Sequence, residues 1–207
     1  MTVRLASFKK NHKIANRNLI QQVVWLLAGL PVVGIRWLPG AAWRVGLLRL
    51  FGAKIGSGVR IKTGVRIKYP WRLHVGNDCW IGEDCWIDNM ADVVMGNDVC
   101  LSQGCYLCTG NHDWKDPSFS MFASPIVLED GCWVASRSVL GPGVVIGENG
   151  IAAIGSVVWQ SIPAGEIHGG NPATFRGLRI IEDSRMSADA SLHPGGAVQV
   201  MSEPEVK

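Results

Sequence analysis

From Ile55 onward the chain repeats a unit of six residues: an aliphatic residue, often followed by glycine, then two polar or small residues, then a small residue in fifth place. The units run IGSGVR from 55, VGNDCW from 75, IGEDCW from 81, MGNDVC from 95, LSQGCY from 101, LEDGCW from 128, VASRSV from 134, LGPGVV from 140, IGENGI from 146 and AAIGSV from 152. A period this short leaves few folds open. Six residues make one short strand and one tight turn, three units close a triangular coil of about 18 residues, and coils stack at about 4.8 Å, the spacing of strands in a sheet. The expected architecture is an all-β solenoid, a parallel β-helix of hexapeptide repeats over residues 52–165. A basic, mostly helical segment (1–51) precedes it, and a C-terminal segment (166–181) with a short helix and a flexible polar tail (182–207) follow.

Within each unit the aliphatic residue points into the prism and the small fifth residue toward its narrow corner. That position accounts for Cys79, Cys85, Cys105 and Cys132 as small apolar packing residues. The six cysteines include a single C-x-x-C spacing, Cys105 and Cys108, with no second such pair to complete a zinc site, so they read as reduced thiols, not bridges or zinc ligands. The glycines after the aliphatic residue, at 56, 76, 82, 96, 141 and 147, read as places where the turn needs positive φ.

The breaks in the period carry as much information. Steps of eight residues from Ile67 to Val75 and from Ile87 to Met95 insert short bulges, whereas Leu107 to Leu128 spans 21 residues. The excess is a loop over residues 109–125, rich in turn formers and held out from a rigid scaffold, where chemistry is usually found. His112 lies in it. A histidine titrates near neutrality, so it can take a proton from a hydroxyl and return it to a leaving group. His12 and His193 lie in polar termini, His74 beside a repeat start and His168 just before GGNPA near the end of the solenoid, and each reads as exposed or structural.

Charge is distributed unevenly. Residues 1–77 hold 14 of the 20 Lys+Arg and no acid, while residues 78–207 hold 6 basic and all 17 acidic residues. An anionic partner suits such a basic region, although a solvated face explains many of these charges equally. The apolar run from Val23 to Ile35 is too short to span a bilayer and is broken by Pro31, so it reads as a helix packed on the body or lying on a membrane surface. In the next segment Trp43, Leu47, Leu50 and Phe51 recur at helical spacing and are expected to pack against the core. Overall, 47% hydrophobic and 18% charged residues in 207 describe one ordinary globular domain and exclude a disordered chain.

Five stretches together resemble one family: LLRLFGAKIG from 47, YPWRL from 69, YLCTGNHDW from 106, SPIVLEDGCWVAS from 124 and GNPA from 170. They are similar to the hexapeptide-repeat acyltransferases, in particular the sugar O-acetyltransferases of colanic-acid-type exopolysaccharide biosynthesis. The resemblance implies a left-handed β-helix, a homotrimer with active sites between neighbouring prisms, acetyl-CoA as donor, no metal and direct transfer to a sugar hydroxyl. It implies His112 as the catalytic base, with Asp113 orienting its imidazole or binding the acceptor. It also maps coenzyme A along Ala135, Ser136, Ala153 and Ile154, where small side chains permit close approach. Relatives often have a Thr-Lys pair where this chain has Trp159 and Gln160, which leaves Arg176 or Arg179 to meet the coenzyme phosphates. Asp88, Asn89 and Asn111 correspond to acceptor-contacting positions, and the aromatic faces of Trp80, Trp86 and Tyr106 suit either sugar rings or subunit packing. The expected acceptor is a sugar or glycolipid handled on the cytoplasmic side, with peripheral contact to an anionic membrane through the basic N-terminus and no nucleic acid partner.

Other chemistries are open on the same residues. An acyl-enzyme through Cys108, four residues before His112, is conceivable. A zinc hydratase on such a solenoid needs three convergent histidines, and only His112 is suitably placed. N-acetylation of an amino sugar and a non-catalytic interaction protein complete the alternatives.

Overall fold

The computed structural model of the chain describes residue 2, residues 4–8 and residues 19–181. Lys9, Lys10, Lys13, Arg17, His12, His193 and the tail from 182 lie outside the described residues.

Short strands, numbered in chain order, stack into three faces of a prism of about six coils. The first face holds β1 (Lys54–Ile55), β4 (Leu73–Val75), β7 (Val93–Met95), β12 (Ile126–Leu128) and β15 (Val145–Ile146). The second holds β2 (Arg60–Ile61), β5 (Trp80–Ile81), β8 (Cys100–Leu101), β13 (Trp133–Val134), β16 (Ile151–Ala152) and β18 (Glu166–Gly169), edged by β19 (Thr174–Leu178). The third holds β3 (Arg66–Ile67), β6 (Trp86–Asp88), β9 (Tyr106–Cys108), β14 (Val139–Leu140) and β17 (Val157–Val158). All pairings within the prism are parallel except β18 with β19.

The period of six becomes a stacked core. Ile61, Ile81, Leu101, Val134 and Ala152 lie in register on the second face, and Ile67, Ile87, Leu107, Leu140 and Val158 on the third, all buried. Cys79, Cys85, Cys105 and Cys132 fill the corners and are fully buried. Burial holds the Cys132 thiol up at about 11, so it stays protonated and inert at neutral pH.

The glycines have a different cause from the one their position suggested. Positive φ falls two residues after them, at Gly58 and Gly143, and without glycine at Asp78 (φ 55°), Asp84 (59°), Asp98 (56°) and Asn149 (58°). Asp and Asn tolerate that region through their short polar side chains. The residues after the aliphatic position are glycine because the next coil presses on them: a Cβ at Gly82 would stand 2.7 Å from the Ser102 carbonyl carbon.

At one end the helices cap the prism. Helix α1 (Leu19–Val24), a π-helical stretch (Trp25–Gly29) and α2 (Leu30–Val33) form one run. The widened turn falls just before Pro31, which has no N–H to return to the preceding turn. Trp25 is buried there, its ring against the bare backbone of Gly29 and its Nε1 donating to the Ile67 carbonyl at 3.1 Å. Among the described residues no helix is long and apolar enough to cross a membrane.

In α3 (Ala42–Leu50) the buried face is Arg44, Val45 and Leu48; Leu47 and Phe51 pack only partly and Leu50 is 79% exposed. The expected stripe is therefore rotated about the helix. Arg44 decides the rotation, since its buried guanidinium gives hydrogen bonds to the carbonyls of Val33, Ile35, Leu38 and Gly40 at 2.5–3.2 Å, satisfying acceptors released where α2 ends.

The expected C-terminal helix is a β-hairpin. β18 continues the second face, and β19 returns antiparallel to it. Gly170, Asn171, Pro172 and Ala173 form a turn that no helix passes through, and Thr174 and Phe175 favour the extended backbone that follows.

Candidate active site

The loop leaves the prism after β9 and returns at β12, so it projects from the corner between the third and first faces, between the third and fourth coils. It is a built structure. β10 (Gly110–His112) pairs antiparallel with β11 (Met121–Ala123), setting His112 opposite Met121. Thr109 anchors its base: buried, it accepts from the Ala91 N–H at 2.9 Å and donates to the Asp88 carbonyl at 3.1 Å through one hydroxyl. At the tip Asp116 accepts from Ser118 N, Ser118 Oγ and Ser120 N, and the bonds from Ser120 and Ser118 hold its carboxyl down at about 2.

That tip positions the histidine. Phe119 sits in the left-handed region (φ 51°), costly for a residue of its size and held by the surrounding turn. Its ring stacks on the His112 imidazole at 4.2 Å and 5°, and its carbonyl lies 2.8 Å from His112 Nδ1. A carbonyl only accepts, so Nδ1 carries the proton and Nε2 keeps its lone pair. Phe8 tilts against the other side of the ring at 5.8 Å, and Arg4 N donates to the Pro117 carbonyl, tying the N-terminal segment to the loop.

A groove runs along the corner between the second and third faces. Its floor is the column Gly82, Ser102, Ala135, Ala153 and Gly169, one per coil, and small at every level. Around Trp133, Ala135, Ser136, Ile151, Ala153 and Ile154 it encloses about 340 Å³. Trp133 Nε1 donates to Ser102 Oγ at 2.9 Å, so its indole leans across the floor and separates this compartment from a lower one of about 350 Å³.

No family model matches the chain. It is 37% identical over 171 residues to the protein named colanic acid biosynthesis acetyltransferase WcaF of Escherichia coli (strain K12), covering 82% of this chain and 93% of that one. The chain belongs to the hexapeptide-repeat acetyltransferases. It is an acyltransferase. Galactoside O-acetyltransferase of the same organism is 32% identical over 94 residues, 44% of this chain and 45% of that one. The hexapeptide-repeat acetyltransferase of Vibrio cholerae shares the fold with TM-score 0.71 at 23% identity, covering 82% of this chain and 100% of that one. So does a galactoside acetyltransferase solved with coenzyme A, with TM-score 0.68 at 19% identity, covering 82% and 84%.

For a hexapeptide-repeat acetyltransferase the expected residues divide clearly. Ala135, Ser136, Ala153 and Ile154 come together on one groove, and Arg176 stands at its upper end, its side chain against Gly169. Trp159 does not join them: it lies on the third face with its ring over Gly141. Nor does Arg179, whose guanidinium donates to the Gly131 and Asn149 carbonyls at another corner. Asp113 is turned from the imidazole, its carboxylate accepting from Lys115 N at 2.9 Å, and the Phe119 carbonyl holds the position expected for it. Asn111 accepts from His112 N. Asn89 is buried with both ends of its amide bonded to the Tyr69 backbone, which removes it from any acceptor, and Asp88 is paired with Lys68 at 2.8 Å. Phe119 and Thr109 were missed. Thr109 precedes the glycine of the loop motif, but nothing in sequence marks a phenylalanine that will adopt left-handed backbone.

Proposed function

We propose that this acyltransferase carries acetyl from acetyl-CoA to a sugar hydroxyl of an exopolysaccharide or its precursor by direct transfer, with His112 as general base. The observation that carries the reading is the Nδ1 contact to the Phe119 carbonyl, which leaves Nε2 as the proton acceptor. Nε2 takes the hydroxyl proton as the oxygen attacks the thioester carbonyl carbon. The tetrahedral intermediate then collapses, the C–S bond breaks, and the imidazolium returns the proton to the departing thiolate. Through the transfer the Phe119 carbonyl accepts from the charged ring. The upper compartment, with its small floor, takes the pantetheine arm, and Arg176 stands where the coenzyme's charged end leaves it.

One chain does not complete this site. His112 projects from the corner between the third and first faces, whereas the groove follows the corner between the second and third. In this reading a homotrimer of left-handed prisms brings one copy's loop to its neighbour's groove. The relationship to WcaF supports a colanic-acid-type acceptor. The exposed apolar side chains of the N-terminal helical run, among them Leu19, Ile20, Leu26 and Leu27 with Trp37 beyond, support its resting on an anionic membrane on the cytoplasmic side, as does the absence of acids before Asp78. Leu26→Glu with Leu27→Glu should abolish co-sedimentation with anionic vesicles; loss of the oligomer instead would assign that surface to a subunit contact.

The deciding experiment is thiol release from acetyl-CoA with sugar and amino-sugar acceptors. His112→Ala should lower turnover by about 10²- to 10⁴-fold. Unchanged turnover, or an equal loss in Cys108→Ala, overturns the direct mechanism, and transfer only to amines makes the enzyme an N-acetyltransferase.

A further inference from the structure

The lower compartment of the groove, on the first three coils, is lined by Arg60, Lys62, Trp80, Glu83, Ser102 and Gln103. Two neighbouring hexads supply near-identical triplets, Arg60-Ile61-Lys62 on the second face and Arg66-Ile67-Lys68 on the third. Both arginines lie over a tryptophan one coil on, Arg60 over Trp80 at 5.0 Å and Arg66 over Trp86 at 4.5 Å. The lysines differ. Lys68 meets Asp88 one coil on, whereas the same step from Lys62 reaches Gly82, where stacking leaves no room for a side chain. Glu83 is the acid of this compartment, and it is exposed. Two cations against one acid, beside a half-exposed indole that Arg60 already overlies, make a site for a sugar bearing negative charge.

Its height along the prism says which substrate uses it. The catalytic loop emerges between the third and fourth coils, the small-floored compartment lies on the fourth to sixth, and this one lies on the first three, across Trp133. We propose that Arg60, Lys62 and Trp80 form the acceptor subsite and select an acceptor with an anionic group, carboxylate or phosphoryl, beside the acetylated ring. The inference rests on the acetyl-transfer reading above. The exposed part of the Trp80 indole meets the sugar beside Arg60, and Lys62 supplies the positive charge that Asp88 neutralises in its twin.

The test compares glucose, glucuronate and glucose 1-phosphate as acceptors and as ligands of the full-length protein, the latter by tryptophan fluorescence, which needs no turnover. The native enzyme should prefer at least one anionic sugar, and which one identifies the carboxylate or the phosphoryl source. Lys62→Gln should reduce that preference about tenfold in KM and in binding, and weaken its dependence on salt. Lys54→Gln, on the first face, serves as the control and should change neither. Equal binding of glucose and both anionic sugars by the native protein overturns the proposal. So does a Lys62→Gln effect confined to the KM of acetyl-CoA, which would assign these cations to the coenzyme phosphates. Charge-selective binding without acetyl transfer keeps the subsite and rejects the sugar-acetylation reading instead.

Discussion

The second and third faces of the prism are built from the same repeat and do different work. At matching positions the second face runs Lys62, Gly82, Ser102, Ala135, Ala153, and the third runs Lys68, Asp88, Cys108, Gly141, Trp159. On the third face an ion pair and a tryptophan lying on Gly141 close the column. The second has small residues from Gly82 to Ala153 and is left open as a groove, crossed only by the Trp133 indole. The hexapeptide rule constrains what points inward and leaves the outward column free, so a solenoid differentiates its faces by side-chain size and charge at one position per coil. The groove here is the absence of side chains that the twin face possesses.

Making the second face resemble the third should have the largest effect. Ala153→Trp places at the groove floor the residue found at the matching position of the third face, and should lower kcat/KM for acetyl-CoA by about 10²-fold while the thermal midpoint holds within a few degrees. Retained coenzyme affinity would mean the donor lies elsewhere. A smaller effect is expected at the half-buried cysteines, one on each face: Cys100 lines the lower compartment and Cys108 does not. An acceptor sugar should slow alkylation of Cys100 several-fold by mass spectrometry and leave Cys108 alone. Trp159→Ala should cost about 1 kcal/mol in denaturant unfolding, since the half-exposed ring loses its contact with Gly141, and leave the KM of acetyl-CoA unchanged. A raised KM there would show that a neighbouring copy's third face completes the groove. Asp88→Asn should be smallest, about 0.5–1 kcal/mol from the partly exposed pair with Lys68, measured by the same unfolding curves.

Much of this was legible in the chain. The aliphatic period located the strands, the small fifth residues located the buried cysteines, and the 21-residue gap located the loop that carries His112. The site was legible in part: Ala135, Ser136, Ala153 and Ile154 share a groove because residues one coil apart in sequence are neighbours in a stack. Arg44, Arg179 and Asn89 were less readable, because each polar side chain satisfies backbone groups brought near only by folding. The C-terminal hairpin was hidden for a related reason, since β18 forms by pairing with β16. Its own residues lack the hexad pattern.

What the sequence determined by itself is the solenoid, because a period of six in which one residue must be buried has one economical solution, repeated independently in each coil. Only the tertiary structure decided the state of His112. Its tautomer depends on a carbonyl seven residues away, aimed by the strained backbone of Phe119, which a hydrogen-bonded turn around Asp116 holds in place. Only the stack of coils, likewise, revealed that Lys62 has a twin at Lys68 and that the position of the twin's acid, Asp88, is taken by Gly82 on the second face. Local chemistry repeats along the chain, whereas the proton position at His112 is set within the folded loop and charge balance is set between coils, twenty residues apart.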